Sequence, residues 1–159
     1  MFGVEEIFDI AMDIERNGAA FYREAAAVLA DEAVRGELLE LAKMEDEHEE
    51  TFRVMKRSIL GDETIAEWYD PEGEAAAYLR AVADGKVFGS VSGAIRALPQ
   101  PPTVRDVLEY AVELERESVL FFTGMRNTVP DHLGSGKIDA IISQEMGHVV
   151  LLTQKLGRL

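Results

Sequence analysis

The sequence predicts an all-α four-helix bundle made of two αα-hairpins that a long crossover connects. Four segments carry apolar residues at helical spacing, a turn signal lies inside each pair of segments, and about forty residues separate the pairs. Adjacent antiparallel helices need only a short turn, so the long connection is expected to run back along helices of roughly 35 Å. All 159 residues then form one domain, with hairpin 1 at about 4–60, the crossover at 61–102 and hairpin 2 at about 103–157.

Hairpin 1 is predicted from two amphipathic segments, the first at about 4–30. Asp31 is expected to cap the second segment and Gly61 to stop it. In both segments the inward residues follow one another at alternating steps of four and three, as one face of an α-helix requires. The predicted inward faces are Val4, Phe8, Ala11, Glu15, Gly18, Tyr22, Ala25 and Leu29, then Val34, Leu38, Leu41, Glu45, His48, Phe52, Met55 and Ile59.

The crossover at 61–102 differs in composition from the hairpins. It contains four of the five prolines and the only tryptophan, Trp68. Asp70-Pro71 is expected to begin a short helix that ends at Gly85. Residues 98–102 are expected to form an extended segment that leads into the next hairpin.

Hairpin 2 is predicted from a third and a fourth amphipathic segment. Thr103 is expected to be the N-cap of the third helix, after two prolines, and Pro130 with the glycines at 134 and 136 marks the turn. The predicted inward faces are Val104, Leu108, Ala111, Glu115, Ser118, Phe122 and Met125, then Ile138, Ile141, Glu145, His148, Leu152 and Leu156.

Composition excludes several functional classes. The formal charge of −14 argues against nucleic acid and anionic membranes as partners. The absence of cysteine excludes a disulfide scaffold, a thiolate zinc site and an iron–sulfur cluster in this chain. The acidic N-terminus lacks the basic region of a secretory signal, and no apolar run approaches the ~20 residues of a membrane span. The chain is therefore expected to be cytoplasmic.

An internal repeat carries the chemistry. Glu15, Glu45 and His48 recur one hundred residues later, and all of these residues lie on the predicted inward faces. Each copy holds one Glu and a Glu-x-x-His, in which Glu and His share a helix face. Together they supply four carboxylates and two imidazoles, enough for two metal ions with a glutamate bridging them. The predicted ligands are Glu15, Glu45, His48, Glu115, Glu145 and His148.

Electrostatics favours a metal over a metal-free core. Four ionised carboxylates in an apolar core would repel one another and lose hydration, and the inward faces hold no Lys or Arg to pair with them. Arg16 and Arg116 lie about 100° away on their helices. Hard carboxylates with imidazole and no sulfur suit iron or manganese. A single such Glu or His is more often an ordinary core residue, but six repeated together favour a dinuclear site.

The ligand pattern resembles the di-iron carboxylate site of the ferritin-like superfamily. Within it, Tyr22 seven residues after Glu15, and the run Glu45-Asp-Glu-His48, resemble the rubrerythrins most. The resemblance implies two iron ions, with manganese as a substitute, reduction of hydrogen peroxide, and association as a homodimer. Exchange of hairpins between the two chains and a closed bundle within one chain both remain open.

Two departures from the rubrerythrin pattern bear on activity. Ser118 stands where rubrerythrins carry an additional ligand glutamate, and the chain has no cysteine for the usual rubredoxin iron. Turnover would then need a separate electron donor. Two alternatives to peroxide reduction stay open: a ferroxidase that oxidises Fe(II) with oxygen, and a structural or interaction bundle that metals merely hold together.

Small and aromatic residues flank the predicted ligands. Gly18 and Ser118 lie one turn beyond Glu15 and its repeat mate, where they either leave room for a small oxidant or permit close helix packing. Tyr22 is a candidate to hydrogen-bond a ligand carboxylate, but core packing is favoured because its repeat mate is Phe122.

Other polar residues are expected to be exposed. The members of the acidic run 45–50 that lie off the inward face are expected to form a solvated helix surface, although they could also guide cations inward. His132 has no repeat mate and follows Pro130 in a turn, so a surface position is expected.

Overall fold

The computed structural model of the protein describes residues 4–61, 72–84 and 94–159. These residues form six α-helices and one 3₁₀ turn, and the four long helices pair as two antiparallel hairpins. The predicted all-α four-helix bundle is therefore confirmed. The predicted features at Trp68, Asp70-Pro71 and Gly85 lie outside the described residues.

Hairpin 1 consists of α1 (Val4–Val28) and α2 (Glu32–Leu60). Asp31 caps α2 as predicted, since its side chain accepts a hydrogen bond of 3.0 Å from the Val34 amide. At the other end of α2, the backbone amide of Gly61 donates a hydrogen bond to the Ile59 carbonyl. The boundaries agree with the sequence prediction to within two residues.

Two short helices belong to the crossover, α3 (Glu74–Ala83) and α4 (Ala94–Ala97). α3 begins after Gly73, which has a φ of 71°. A helix was expected in this region, but its first described residue is Glu74, and α4 was not predicted because four residues carry too little periodicity.

Hairpin 2 consists of α5 (Val104–Arg126) and α6 (Ser135–Leu156), with the 3₁₀ turn Asp131–Leu133 between them. Thr103 is the N-cap of α5, as predicted, and forms a capping box with Asp106 through bonds of 3.1 and 2.8 Å. Gly134 has a φ of 98°, in the left-handed region where the absence of a side chain allows the chain to enter α6.

The core is divided into two clusters of buried apolar side chains. The first cluster contains Leu29 beside the turn of hairpin 1, together with Leu108 near the start of α5. The second cluster contains Phe8 near the start of α1, together with Val129 and Ile138 beside the turn of hairpin 2. The turns of the two hairpins therefore lie at opposite ends of the bundle.

The crossover spans the bundle from one cluster to the other. Leu79 of α3 is fully buried in the second cluster, and Ala94 and Ile95 of α4 are buried in the first. In the part that the structure describes, the crossover thus docks on the bundle instead of forming its own core. No helix among the described residues is long and apolar enough to cross a membrane.

Replacing Gly124 by alanine is expected to destabilise the fold by about 1–3 kcal/mol. Gly124 of α5 lies against α3. A Cβ added at this position would lie 2.4 Å from Tyr78 Cε1 and 3.0 Å from Leu79 Cδ2. The Tyr78 side chain is partly exposed and can move, whereas Leu79 is fully buried and cannot. Urea denaturation measures the change.

Gly36→Ala is the matched control, because a Cβ there would meet nothing within 4 Å. Its helical position predicts a gain of about 0.5–1 kcal/mol. Equal stability of the two variants would contradict the close docking of α3 on α5.

Candidate metal centre

A layer of polar side chains separates the two apolar clusters, and it consists of the six residues that the sequence repeat predicts as ligands. None is more than 5% exposed. Glu15 and Glu115 project from the middle of α1 and α5, whereas α2 and α6 each supply a Glu and a His from one face. The layer contains Glu15, Glu45, His48, Glu115, Glu145 and His148.

The six side chains form two overlapping groups of possible ligands. Within each group, one donor atom from every member lies within 4.8 Å of the others. Glu45 and Glu145 belong to both groups. The sequence predicted one bridging glutamate, and this geometry fits two. The groups are Glu15, Glu45, His48 and Glu145, and Glu45, Glu115, Glu145 and His148.

Both imidazoles turn Nδ1 towards the carboxylates. His48 Nδ1 lies 2.7 Å from Glu145 Oε1 and 3.5 Å from Glu15 Oε2. His148 Nδ1 lies 3.4 Å from Glu115 Oε2 and 3.6 Å from Glu145 Oε2. The two rings are 6.2 Å apart between centroids and inclined by only 21°. This is the arrangement in which Nδ1 of each ring could bind a separate ion.

Most polar atoms of the layer have no hydrogen-bond partner among the described residues, and even the 2.7 Å contact between His48 Nδ1 and Glu145 Oε1 lacks hydrogen-bond alignment. Buried polar atoms are normally satisfied, so such a concentration indicates a missing cationic partner. The residues therefore fit a pair of metal ions. The unpartnered atoms are both oxygens of Glu15 and Glu145, Oε1 of Glu45, Oε2 of Glu115, Nδ1 of both histidines and Nε2 of His148.

Basic side chains near the layer are engaged elsewhere. Arg16 pairs with Asp13 at 2.7 Å and with Glu49 at 2.8 Å, and Arg116 pairs with Glu113 at 3.0 Å. Both guanidinium side chains are more than half exposed, at 56% and 59%. Their predicted position off the inward face is confirmed, so neither neutralises the buried carboxylates.

Burial raises the pKa of three carboxyls in the layer. For Glu15 and Glu45, loss of hydration is the largest cause, and repulsion from neighbouring carboxylates adds to it. Burial, followed by repulsion from Glu145, raises the pKa of Glu115 to about 8. Without metal, these carboxyls hold protons that cations would displace.

The remaining three groups form ion pairs. Burial lowers the pKa of His48, but contacts with Glu145, Gln144 and Glu45 together outweigh it and raise the pKa to about 9. Contacts with Glu115 and Glu145 together likewise outweigh burial at His148 and raise its pKa to about 10. Burial acts to raise the pKa of Glu145, but its contacts with Glu115 and the two histidines lower it.

Tyr22 is fully buried, and its hydroxyl donates a hydrogen bond to Glu115 Oε1. The interpretation of Tyr22 as core packing alone is therefore wrong, and its alternative role as a partner of a ligand carboxylate fits the geometry. Its repeat mate Phe122 has no polar group to offer Glu15. The sequence could not assign this bond, because it joins α1 to the far hairpin.

A small cavity of about 10 Å³ lies beside the layer, between α1 and α5, and Gly18 and Ser118 are in its lining. A Cβ on Gly18 would lie 2.9 Å from Glu45 Oε2, so the glycine makes room for a carboxylate. Ser118 donates its hydroxyl to the Leu114 carbonyl at 3.0 Å. Close packing of α2 against α1 therefore accounts for Gly18, and the small cavity is the space that could serve an oxidant.

Gln144 is the residue that sequence reasoning missed. His48 Nε2–H donates to Gln144 Oε1 at 2.5 Å, which leaves Nδ1 of that ring as the atom facing the carboxylates. Gln144 precedes Glu145 on α6, and its repeat mate is Met44. The repeat therefore gave no signal, and only the antiparallel packing of α6 beside α2 brings the two side chains together.

The acidic run on α2 is exposed, as predicted, except at one position. Asp46 and Glu50 have side chains that are 46% and 55% exposed. Glu49 is only 13% exposed, because it pairs with Arg16 at 2.8 Å and with Arg53 at 2.5 Å. The expectation of a solvated surface is wrong for Glu49. His132 is exposed in the 3₁₀ turn, as expected.

Glu15→Gln is expected to change stability in opposite directions with and without metal. The amide removes the cost of protonating a fully buried carboxyl on folding, so the metal-free protein should gain about 1–3 kcal/mol at neutral pH. The loss of a ligand should weaken binding of at least one ion by roughly tenfold or more. Urea denaturation with and without Mn(II) measures both effects.

The control is Glu109→Gln on the exposed side of α5, where the side chain is 60% exposed and lies 3.9 Å from Arg105. Neither stability nor metal affinity should change by more than about 0.5 kcal/mol. A loss of metal-free stability in Glu15→Gln would contradict the electrostatic account of the layer.

The stability of the metal-free protein is expected to fall as the pH rises from 6.5 to 8.5. Glu115 and the two histidines have folded-state pKa values of about 8, 9 and 10, against 4.5 and 6.5 as their ordinary values. In this window the folded state binds more protons than the unfolded state, so the fall should be about 1–4 kcal/mol. Glu145, with its lowered pKa, is ionised in both states and contributes nothing here.

Saturating Mn(II) under anaerobic conditions should remove or reverse this dependence, because the ions take the place of the protons. Measurement in 0.5 M salt separates the buried layer from repulsion among surface charges, which the salt screens. Stability that rises with pH in the metal-free protein would show that the layer holds no extra protons.

Comparison with known proteins gives one informative similarity. The sequence matches no protein-family model and no curated protein. Among solved structures, the chain is similar to a Thermotoga maritima protein provisionally described as a ferritin-like diiron-carboxylate protein, with a TM-score of 0.71 and 22% identity. The similarity covers 96% of this chain and 93% of that chain. At this identity it shows the fold, which is the ferritin-like four-helix bundle.

Proposed function

We propose that the chain is a dinuclear metalloprotein that binds two iron ions between its hairpins. The observation that carries the proposal is the convergence of six buried donor side chains whose polar atoms lack partners. Carboxylate and imidazole donors without sulfur suit iron, and manganese also fits. The description of the T. maritima protein supports iron. The ligands would be Glu15 and His48 on one ion, Glu115 and His148 on the other, and Glu45 and Glu145 on both.

The proposed reaction is the reduction of hydrogen peroxide to water. The O–O bond breaks, two electrons and two protons are consumed, and two water molecules form. Two ferrous ions would supply the two electrons and stabilise the charge that develops on the separating oxygens. The cavity beside the layer, at about 10 Å³, is close to the space that one water molecule needs, so peroxide, with its two oxygen atoms, would fit only if the lining side chains moved apart.

Polar groups in the cavity lining suit peroxide better than an apolar gas. Burial and the nearby Glu115 charge raise the pKa of the Tyr22 hydroxyl well above its usual value, so it remains a donor at neutral pH. Tyr22 holds Glu115 through that hydrogen bond and lines the cavity together with Ser118. These residues would orient the peroxide and limit the entry of bulk water.

Electrons for repeated turnover would come from a separate donor. The chain has no cysteine and therefore cannot bind a rubredoxin-type iron of its own. Association of two chains as a homodimer, in the cytoplasm, also remains a prediction. Because one chain supplies all six candidate ligands, the site does not need a second chain, and sedimentation at micromolar concentration would test the association.

Oxidation of Fe(II) by oxygen is the second candidate, and a groove of about 490 Å³ between α2 and α6 favours it. Glu47 and Glu50 line this groove, and His48 lies in its lining together with Gln144. Carboxylates along a path to a ligand would attract ferrous ions and guide them inward. The structural alternative, in which the metals only hold the hairpins together, predicts neither reaction.

Anaerobic loading with Fe(II) followed by rapid mixing tests the proposed reaction. We expect close to two ions per chain, and oxidation of the loaded protein by peroxide at least about tenfold faster than by oxygen, a difference of about 1.4 kcal/mol in barrier height. Faster reaction with oxygen and repeated uptake of Fe(II) would identify iron oxidation instead. Inertness to both oxidants would leave a structural role.

Ser118→Val provides a variant that fills the cavity without removing a candidate ligand. Peroxide oxidation should slow by about tenfold or more while the metal content stays unchanged. Ser143→Val, at an exposed position on α6, is the matched control and should leave the rate unchanged. An unaltered rate in Ser118→Val would remove the cavity from the reaction.

A further inference from the structure

The two halves of the candidate centre have the same ligand types but different neighbours. The repeat maps Gln144 onto Met44 and Tyr22 onto Phe122, so each half has a polar partner that the other half lacks. Hydrogen bonds from such partners orient metal ligands and change their strength as donors. The difference therefore bears on how tightly each half would hold its ion.

In the half formed by Glu15 and His48, the imidazole is fixed and the carboxylate is free. Gln144 accepts a 2.5 Å hydrogen bond from His48 Nε2, which sets the tautomer and the ring orientation. Both oxygens of Glu15 lack hydrogen-bond partners, because the corresponding aromatic residue is Phe122. This half thus offers an oriented nitrogen and two carboxylate oxygens of its own.

In the half formed by Glu115 and His148, the imidazole is unsupported and the carboxylate is engaged. His148 Nε2 is buried without a hydrogen-bond partner, and His148 lines a mainly apolar groove of about 540 Å³ with Met44 and Leu151. Glu115 Oε1 accepts the hydrogen bond from the Tyr22 hydroxyl, so only Oε2 of this carboxylate is without a partner. This half offers fewer free oxygens and a ring that no hydrogen bond orients.

We infer that the two metal positions are inequivalent: the Glu15–His48 position binds its ion more tightly and fills first, and the Glu115–His148 position is the one that exchanges. Gln144 is a positioning residue that acts through His48. The inference rests on the proposed dinuclear centre and adds an order to it. More free donor atoms and a fixed imidazole both favour the first position.

The location of the cavity gives this order a consequence. Glu115, Tyr22 and Ser118 line the cavity, whereas neither Glu15 nor His48 does. The weaker position is therefore the one beside the space for a small oxidant. Glu115 and His148 would hold the ion beside this space, while Glu15 and His48 would keep the other ion in place.

Two binding steps alone would not test the inference. The ions would share Glu45 and Glu145, which belong to both ligand groups, so binding of the first would weaken binding of the second even in a symmetric centre. A symmetric centre would nevertheless respond equally to loss of either histidine. The matched pair His48→Ala and His148→Ala therefore separates the two cases.

Anaerobic calorimetric titration with Fe(II) alone measures both steps. We expect His148→Ala to keep the tight step of the original protein within about threefold and to lose the weak one. His48→Ala should lose the tight step, with affinity at least about tenfold lower. Circular dichroism checks that both variants are folded.

Exchanging the two repeat mates tests the role of Gln144 without removing a ligand. Gln144→Met should weaken the first step by about tenfold, and Met44→Gln should strengthen the second, because it gives His148 Nε2 an acceptor. Gln144→Glu, which keeps an acceptor oxygen, should restore the first step. Both exchanged side chains lie at the helix surface and should leave the fold intact even where a histidine variant does not.

Each result has a definite meaning. Equal losses in the two histidine variants, or a first step unaffected by Gln144→Met, would overturn the order of filling while leaving the dinuclear centre in place. Absence of any Fe(II) binding in the original protein would instead overturn the proposed centre itself. A Gln144→Glu variant as weak as Gln144→Met would show that Gln144 does not act through its acceptor oxygen.

Discussion

The burial of four carboxylates at the middle of the bundle is the constraint on which the rest of the structure depends. Such a layer opposes folding through lost hydration and mutual repulsion, and the nearby Arg16 and Arg116 pair with exposed carboxylates instead of relieving it. Apolar clusters on both sides supply the packing that holds the four helices around it. Without cations the layer retains protons, so metal binding, proton release and stability are linked.

The hairpins pack with their turns at opposite ends of the bundle, and this arrangement sets the connectivity. Equivalent ligands meet at one height because each lies near the middle of its helix. α2 then ends at the end of the bundle far from the start of α5, and the chain must travel the full length between them. The crossover does so while contributing Leu79 to one cluster and Ile95 to the other. Its length is therefore a consequence of the opposed hairpins.

The sequence determines the features that depend on local pattern or on the repeat. The helix faces, the caps at Asp31 and Thr103, and the six candidate ligands could all be predicted, because spacing along one chain segment is enough to place them. The bonds from Tyr22 to Glu115 and from His48 to Gln144 could not. Each joins two hairpins, and its existence depends on which side chains face one another after docking.

The contrast between what the repeat keeps and what it varies favours reaction over a purely structural role. A metal clamp needs only the ligands, and it would gain stability from tight packing around them. This chain instead lines a cavity beside the ligands with the hydroxyls of Tyr22 and Ser118. One histidine also lines a groove that carries the charged side chains of Glu47, Glu50 and Lys137, whereas the other lines a mainly apolar groove. The two sets of ligands are thus of the same residue types, but the cavities and polar side chains around them differ. That difference is the basis of the proposal that one metal position has access to a small substrate and that the other holds the site together.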